Sequence, residues 1–290
     1  MQIGERIKAL RQSKLMTQSE LAGNQITRNM LSSIEHGTAL PSLPTAMYIA
    51  ERLNVPVGYL LAEEADEPAY RKMTAIANIR RAFAAGDWSG TLSLLDATCG
   101  NQADDELSLI RATCELGLAR AAVEGGRLRF AVCALDRALS AAEETVYDTA
   151  WLRSRVAVLF RYLAGISATL SSDVLDHDEI DGARAFDDEL TEYIMTLEAQ
   201  EGEARYAARY GGSLYAERLT ALSLMRQEDF QAAQAVLERL LARDELTFGV
   251  LLYEVFGDLE ICYRKNDDYK RAYEFAGSRL GLLERLLEEA

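Results

Sequence analysis

The last proline of this 290-residue chain is at position 68, so the 222 residues beyond it hold none. That stretch is rich in Ala, Leu, Glu and Arg, which are strong helix formers. A run this long without the residue that breaks both helices and central strands predicts an all-α fold. The other prolines stand at 41, 44 and 56, within a stretch of different character. Between the two regimes lies "AEEADEP", Ala62 to Pro68, which is acidic and ends on that last proline. The predicted organisation is a domain over residues 1–61, a linker over 62–69 and a second domain over 70–290.

Charge separates the same two parts. Residues 1–61 carry six Lys or Arg (Arg6, Lys8, Arg11, Lys14, Arg28, Arg52) against four acids (Glu5, Glu20, Glu35, Glu51), a balance of +2. The whole chain carries −15, which leaves −17 for the remainder. An acidic body lies along a phosphate backbone only at a repulsive cost, so nucleic-acid binding is confined to the N-terminal part. For the rest, solubility explains the negative charge, with recruitment of a basic partner as the alternative. No run approaches the roughly 18 consecutive apolar residues of a membrane helix. The start, "MQIGERIKAL", lacks the apolar core of a signal peptide, so the expected location is the cytoplasm. Cys99, Cys114, Cys133 and Cys262 show no CxxC spacing and sit in apolar helical runs, where reduced, buried thiols are expected.

The first 61 residues divide into about five short helices. Ile3, Ile7 and Leu10 share one face of the first. Thr17 and Glu20 form an S/T-x-x-E capping box at the start of the second, and Met16 and Leu21 occupy the positions of a hydrophobic staple. The third runs from about Thr27 to His36 and stops at Gly37. Its apolar side is Met30, Leu31 and Ile34; Arg28, Asn29, Ser32 and Ser33 fall opposite, at i, i+1, i+4 and i+5. Arg and Asn have the geometry to read guanine and adenine edges bidentately. Composition alone favours reading the same face as an ordinary solvated surface. The fourth helix follows Pro44, and the fifth holds "VGYLL".

The segments "TQSELA", "ITRNMLSSIEHG" and "PSLPTAMYIAERLNVPVGYLL" together resemble the XRE (phage-repressor-like) helix-turn-helix family over residues 1–61. The resemblance implies that the helix beginning at Thr27 enters the major groove of double-stranded DNA while the preceding helix crosses the backbone. By position, Gln18 binds phosphate, Thr27 lies near one, and Arg28, Asn29 and Ser33 face base edges beside Ser32. Arg11 is a further candidate phosphate contact. The turn "GNQI" is about a residue shorter than the commonest version and reads as lacking the usual glycine after the first helix, which leaves the angle of the recognition helix open.

In the longer part, "AAGDWSGTLSLL", "EGGRLRFAVCAL", "RQEDFQAAQAVL" and "KNDDYKRAYEFA" share a turn, then an aromatic or Leu, then a small residue. The marker positions are Trp88, Leu128, Phe230 and Tyr269; the first two are 40 apart and the last two 39. The pattern resembles a divergent tetratricopeptide array with lengthened helices, clearest at Leu118, Ala119, Ala122, Ala131, Leu135 and Ala138, and again at Phe256, Leu259, Tyr263, Tyr269 and Ala272. Small residues there let antiparallel helices approach closely, and stacked hairpins build a concave surface. The last helix, "RLGLLERLLEEA", is expected to present Leu280, Leu283 and Leu287 as a stripe that caps the array or pairs two copies.

The combination resembles the peptide-pheromone-sensing regulators of Gram-positive bacteria, the RRNPP group. There the array forms a homodimer and a short re-imported peptide occupies its concave face, held by asparagines. Asn78 is the one asparagine well inside an array helix here, and Arg81 and Tyr210 are its candidate partners in effector binding. The expected function is thus sequence-specific, dimeric transcription regulation tuned by an effector. The alternative is a helical-repeat interaction scaffold with an accessory DNA-binding domain. An enzyme is not expected, and neither a cofactor nor a metal: the histidines are only His36 and His177, no phosphate loop or ligand cluster appears, and Asp187 and Asp188 read as a solvated helix face.

Overall fold

The computed structural model describes residues 3–62, 67–99, 104–170 and 188–288. Among the described residues the regular structure is helical throughout, with no strand, and no helix is long and apolar enough to cross a membrane. The chain divides into two compact units, Met1–Arg81 with Leu94–Gln102, and Ala82–Ser93 with Ala103–Ala290.

The first unit opens with α1 (Ile3–Ser13), α2 (Gln18–Ala22), α3 (Arg28–Glu35), α4 (Leu43–Leu53) and α5 (Val57–Leu61). One shared core holds them, with Ile7, Leu21, Leu31, Ile34, Ile49, Leu53 and Leu60 all buried. Every start among α2, α3 and α4 is capped. Thr17 accepts from the Glu20 N–H while its own N–H donates to the Glu20 carboxylate, completing the expected capping box. Thr27 caps α3 through Met30 N–H (3.1 Å) and Ser42 caps α4 through Thr45 N–H (3.3 Å). Met16 packs against the core that contains Leu21, as the staple requires. Arg6, only 2% exposed, donates to the Tyr59 and Ala62 carbonyls (2.7 and 2.8 Å) and so closes the C-terminal end of α5. Of the linker expected over 62–69, residues 63–66 lie outside the described residues, and Glu67 already begins α6 (Glu67–Ala84).

The remaining helices are α7 (Trp88–Cys99), α8 (Asp105–Glu124), α9 (Leu128–Glu143), α10 (Ala150–Ile166), α11 (Glu189–Ala199), α12 (Glu203–Tyr210), α13 (Leu214–Arg226), α14 (Phe230–Leu241), α15 (Val250–Lys265) and α16 (Tyr269–Glu288), with a 3-10 turn at Ala168–Leu170 after α10. The four marker positions have a common structural meaning: Trp88, Leu128, Phe230 and Tyr269 are each the first residue of the second helix of a hairpin. A three-residue turn precedes each, and its middle residue has positive φ: Gly86 (73°), Gly126 (77°), Glu228 (63°) and Asp267 (64°). The third residue then donates its N–H to a carbonyl five residues back, from Asp87 to Ala82, Arg127 to Ala122, Asp229 to Leu224 and Asp268 to Tyr263, at 2.8–3.1 Å. This is the backbone signature of a helix stop followed at once by a helix start.

Small residues let the hairpins close as expected. Ala119, Ala122, Ala131, Leu135 and Ala138 are fully buried in the α8–α9 core, and Leu259, Tyr263 and Ala272 are buried in the core of α13–α16. Gly117 of α8 has the Trp88 ring where a side chain would stand. The last helix differs from expectation. α16 buries Leu282 and Leu286 beside α8 and α9, with Leu283 and Leu287 half-buried and Leu280 60% exposed. The register is set by what lies beneath: Leu286 fits against the α8–α9 turn at Gly126. Cys114 and Cys262 are buried, and burial pushes both thiols up to about 12. Cys133 is exposed, on the outward face of α9, against the expectation of burial, and the side chain of Cys99 lies outside the described residues.

Candidate nucleic-acid interface

The outer face of α3 is built from its first residue. Thr27 holds the helix N-terminus, and Arg28 and Asn29 follow it, both exposed. One turn further on are Ser32 and Ser33, half-buried on the same side. The inner face is Leu31, Ile34 and Glu35. Met30, expected on the apolar side, is 40% exposed and borders the polar face instead. His36 Nδ1 donates to the Ser32 carbonyl (2.7 Å), securing the last turn.

Glu35 is what fixes this helix in place. Its carboxylate accepts from Arg11 Nε and Nη2 of α1 (2.6 and 3.1 Å) and from Gln18 Nε2 of α2 (2.9 Å). Arg11 also donates to the Met16 carbonyl (2.8 Å), bracing the α1–α2 link. The pair is interior, with side-chain exposures of 12% for Arg11 and 0% for Glu35. Burial disfavours the charge on Glu35, but the hydrogen bonds from Arg11 and Gln18 outweigh it and hold the carboxyl below its ordinary range. One buried carboxylate thus ties α1, α2 and α3 together. Sequence reasoning passed over Glu35, although a signal was present. Glu35 continues the Leu31–Ile34 stripe and Arg11 continues the Ile7–Leu10 stripe, so opposite charges occupy core-side positions of two apolar faces.

The turn between α2 and α3 corrects an expectation. It does carry a glycine directly after α2: Gly23, at φ 56° and ψ −135°, conformational territory that L side chains rarely enter. An added Cβ there would overlap the Tyr48 hydroxyl and crowd the Arg52 guanidinium. Those two side chains need the space, because Tyr48 donates to the Ala22 carbonyl (3.0 Å) and Arg52 to the Glu20 carbonyl (2.5 Å). The end of α2 is therefore clamped by α4, and the angle of α3 is set by Glu35 on one side and this clamp on the other.

Residues 7–60 match the Helix-turn-helix family model. This segment is a helix-turn-helix domain. Within it α2 and α3 are the motif, and Gln18, Thr27, Arg28, Asn29, Ser32 and Ser33 lie at or near its outer surface, whereas Arg11 is turned inward. No curated protein matches the chain in sequence. Solved structures with some likeness include Bacillus thuringiensis PlcR in complex with the peptide PapR7 and DNA (15% identity, TM-score 0.24, 98% of this chain and 95% of that chain). A point mutant of PrgX (13%, 0.21, 99% and 93%) and the SHP pheromone receptor Rgg2 of Streptococcus dysgalactiae (15%, 0.20, 100% and 100%) are others.

Outside the helix-turn-helix domain, the expected effector residues are found in local pairs. Asn78 and Arg81 are one turn apart on α6, with Arg81 Nη1 donating to Asn78 Oδ1 (3.4 Å). Tyr210 of α12 donates to Glu192 (3.1 Å) and packs against Tyr206 at 4.9 Å between ring centres. His177 and Asp187 lie outside the described residues, while Asp188 caps α11 through Thr191 N–H (2.9 Å). Among the described residues no group of His, Cys, Asp and Glu is arranged to hold a metal ion.

Proposed function

We propose that the chain is a sequence-specific DNA-binding transcriptional regulator that acts as a dimer, with its helical-hairpin unit serving as the regulatory part. The observation that carries this reading is the exposed face Arg28–Asn29–Ser32–Ser33 on a helix locked from behind by the buried Glu35 carboxylate. A reading helix needs both properties. Its side chains must reach base edges, and its orientation must be fixed so that they reach the same edges each time.

In this reading Arg28 and Asn29 face base edges, with Ser32 and Ser33 beside them. Thr27 and Gln18 face phosphates, Gln18 through the amide N–H that Glu35 leaves free. Arg11 serves the backbone contact chiefly by holding Gln18 and α3 in register through Glu35. The Asn78–Arg81 pair and Tyr210 remain candidates for effector contact. One such domain makes few contacts, and a two-fold pair extends them to half-sites about 34 Å, or a multiple of that, apart.

Selection of random duplex DNA by the full-length protein at physiological salt tests the reading, and the recovered sites are expected to align as an inverted repeat. On that site Arg28→Ala should cost about 1–3 kcal/mol and relax preference at one base position. Gln18→Ala should weaken all sequences alike. Uniform weakening by Arg28→Ala would make Arg28 a phosphate contact, and recovery of no preferred sequence would favour the scaffold alternative.

A further inference from the structure

The last helix of the second unit packs downward through Ala272, Leu282 and Leu286 and leaves an apolar face open above them. On that face Tyr269, Tyr273 and Leu280 follow one another at spacings of four and seven residues, which align them along one side of a helix. All three are exposed, Tyr273 at 81%. An exposed apolar patch of this kind marks an interaction surface. Gly277 stands in the middle of the face and Gly281 one turn further on, and an added Cβ would meet no atom within 4 Å at either position. Glycine inside a helix is destabilising relative to alanine, and the packing of this chain alone does not use the space these two leave.

The charges on the same helix divide into those already engaged and those left over. Arg271 pairs with Asp268 (3.7 Å), Arg279 bonds the Tyr253 hydroxyl (3.2 Å) and Arg285 lies over the Phe248 ring (4.7 Å). Lys270 and Glu284, both exposed on the open face, have no ion-pair partner among the described residues. Gly277 lies midway between them in the sequence, about 10 Å along the helix axis from each.

When two copies of a helix cross antiparallel about a two-fold axis, residues equally far before and after the axis face each other. With the axis at Gly277, Lys270 of each copy meets Glu284 of the other. The same register sets each Tyr273 ring over Gly281 of the other copy, where no side chain stands, and beside Leu280. A parallel pair would instead oppose Lys270 to Lys270 and Glu284 to Glu284. We propose that the chain dimerises through this face of α16, antiparallel about Gly277, with Tyr273 seated on Gly281 and Lys270 paired with Glu284 across the axis. A second copy is the occupant because the charges and the ring-and-gap pattern complement themselves about one residue. The aromatic centre and charged edge also follow the usual division of an interface into core and rim. The proposal rests on the reading of the chain as a dimer and supplies the contact which that reading leaves unassigned.

Sedimentation equilibrium of the full-length chain, without DNA, is the test, and the wild type is expected to be a dimer. Gly277→Leu should weaken the dimer by about tenfold or more. Its helical circular dichroism should be retained, because the new side chain meets nothing in its own chain. Lys270→Glu and Glu284→Lys should each weaken association about three- to tenfold, since each reversal turns two attractive pairs repulsive. The double variant Lys270→Glu, Glu284→Lys should return to within about twofold of wild type. A dimer unchanged by Gly277→Leu, or a double variant no tighter than the single ones, overturns this interface and leaves the dimeric reading standing. A wild-type chain that stays monomeric at about 0.1 mM overturns both. Assembly beyond a dimer that Gly277→Leu dissolves would make the contact head-to-tail and overturns the two-fold arrangement. The expected variant pattern in a chain that selects no DNA sequence would sustain the interface and remove only the regulator reading.

Discussion

Glu35 is the residue on which the helix-turn-helix geometry most depends. Its carboxylate serves three donors on two other helices, so its loss leaves the Arg11 guanidinium interior and without its main partner. Removing one member of a buried pair costs about 3–5 kcal/mol. Glu35→Ala is therefore expected to lower the stability of the N-terminal helices by that order, read by urea unfolding. Arg11→Met combined with Glu35→Leu should recover much of the loss, because no charge is then left buried without a partner. The pair also predicts a pH dependence. The folded-state carboxyl of Glu35 lies below its unfolded value near 4.5, so its stabilisation is present above that pH and disappears as pH falls through the lower, folded value. Acid titration of wild type and Glu35→Gln should diverge above pH 4.5 and converge below it; parallel curves would show that the carboxylate contributes no net stability.

Among the elements, the hairpin turns carry the regularity of the second unit. Asp87, Asp229 and Asp268 occupy the same place in three turns, and each side chain accepts from the N–H three residues on (2.9, 3.0 and 3.1 Å). In the α8–α9 turn the place is taken by Arg127, which has no side-chain acceptor to offer. Its backbone is nonetheless the same, φ −85° and ψ 69°, against −84° and 71° at Asp229. Arg127→Asp should therefore cap α9 without rearrangement and stabilise by about 0.5–1 kcal/mol, less the contact of Arg127 with the Phe130 ring. A lowered melting temperature would mean that this arginine–ring contact outweighs the cap.

For the molecule as a whole, stability in the second unit is not simply a sum of hairpins. Arg218 on α13 meets Tyr193 on α11 and Glu254 and Asp258 on α15, joining elements far apart in sequence through one buried cation. Burial opposes the charge on Arg218, yet the surrounding acids hold its guanidinium well above the ordinary value. Arg218→Ala should cost about 3–5 kcal/mol by leaving two interior acids without their counter-ion. A drop in the urea midpoint with retained helical circular dichroism in buffer is the expected result. A change within about 1 kcal/mol would mean that water enters the cavity that Arg218 lines with Arg161 and Arg279, and replaces the guanidinium.

Features that depend on neighbours along the chain were legible in the residues alone. A proline-free run rich in strong helix formers predicts helix, Thr17 marked the start of α2 through its capping box, and Thr27 the approximate start of α3, whereas α4 begins at Leu43 behind the Ser42 cap, before the Pro44 after which the fourth helix was expected. The markers Trp88, Leu128, Phe230 and Tyr269 were readable for the same reason: each follows a turn whose hydrogen bonds close within five residues. Where long side chains go once helices meet is settled only in the folded chain. Arg6 and Arg11, counted in the sequence with the cations available to DNA, point inward because carbonyls and a carboxylate from other helices await them. The buried stripe of α16 is Leu282 and Leu286 because the α8–α9 turn selects the register, and helical periodicity cannot name the face that a distant element will cover. The cavity above Arg218 has no sequence signature, since its arginines come from three helices whose proximity exists only after folding.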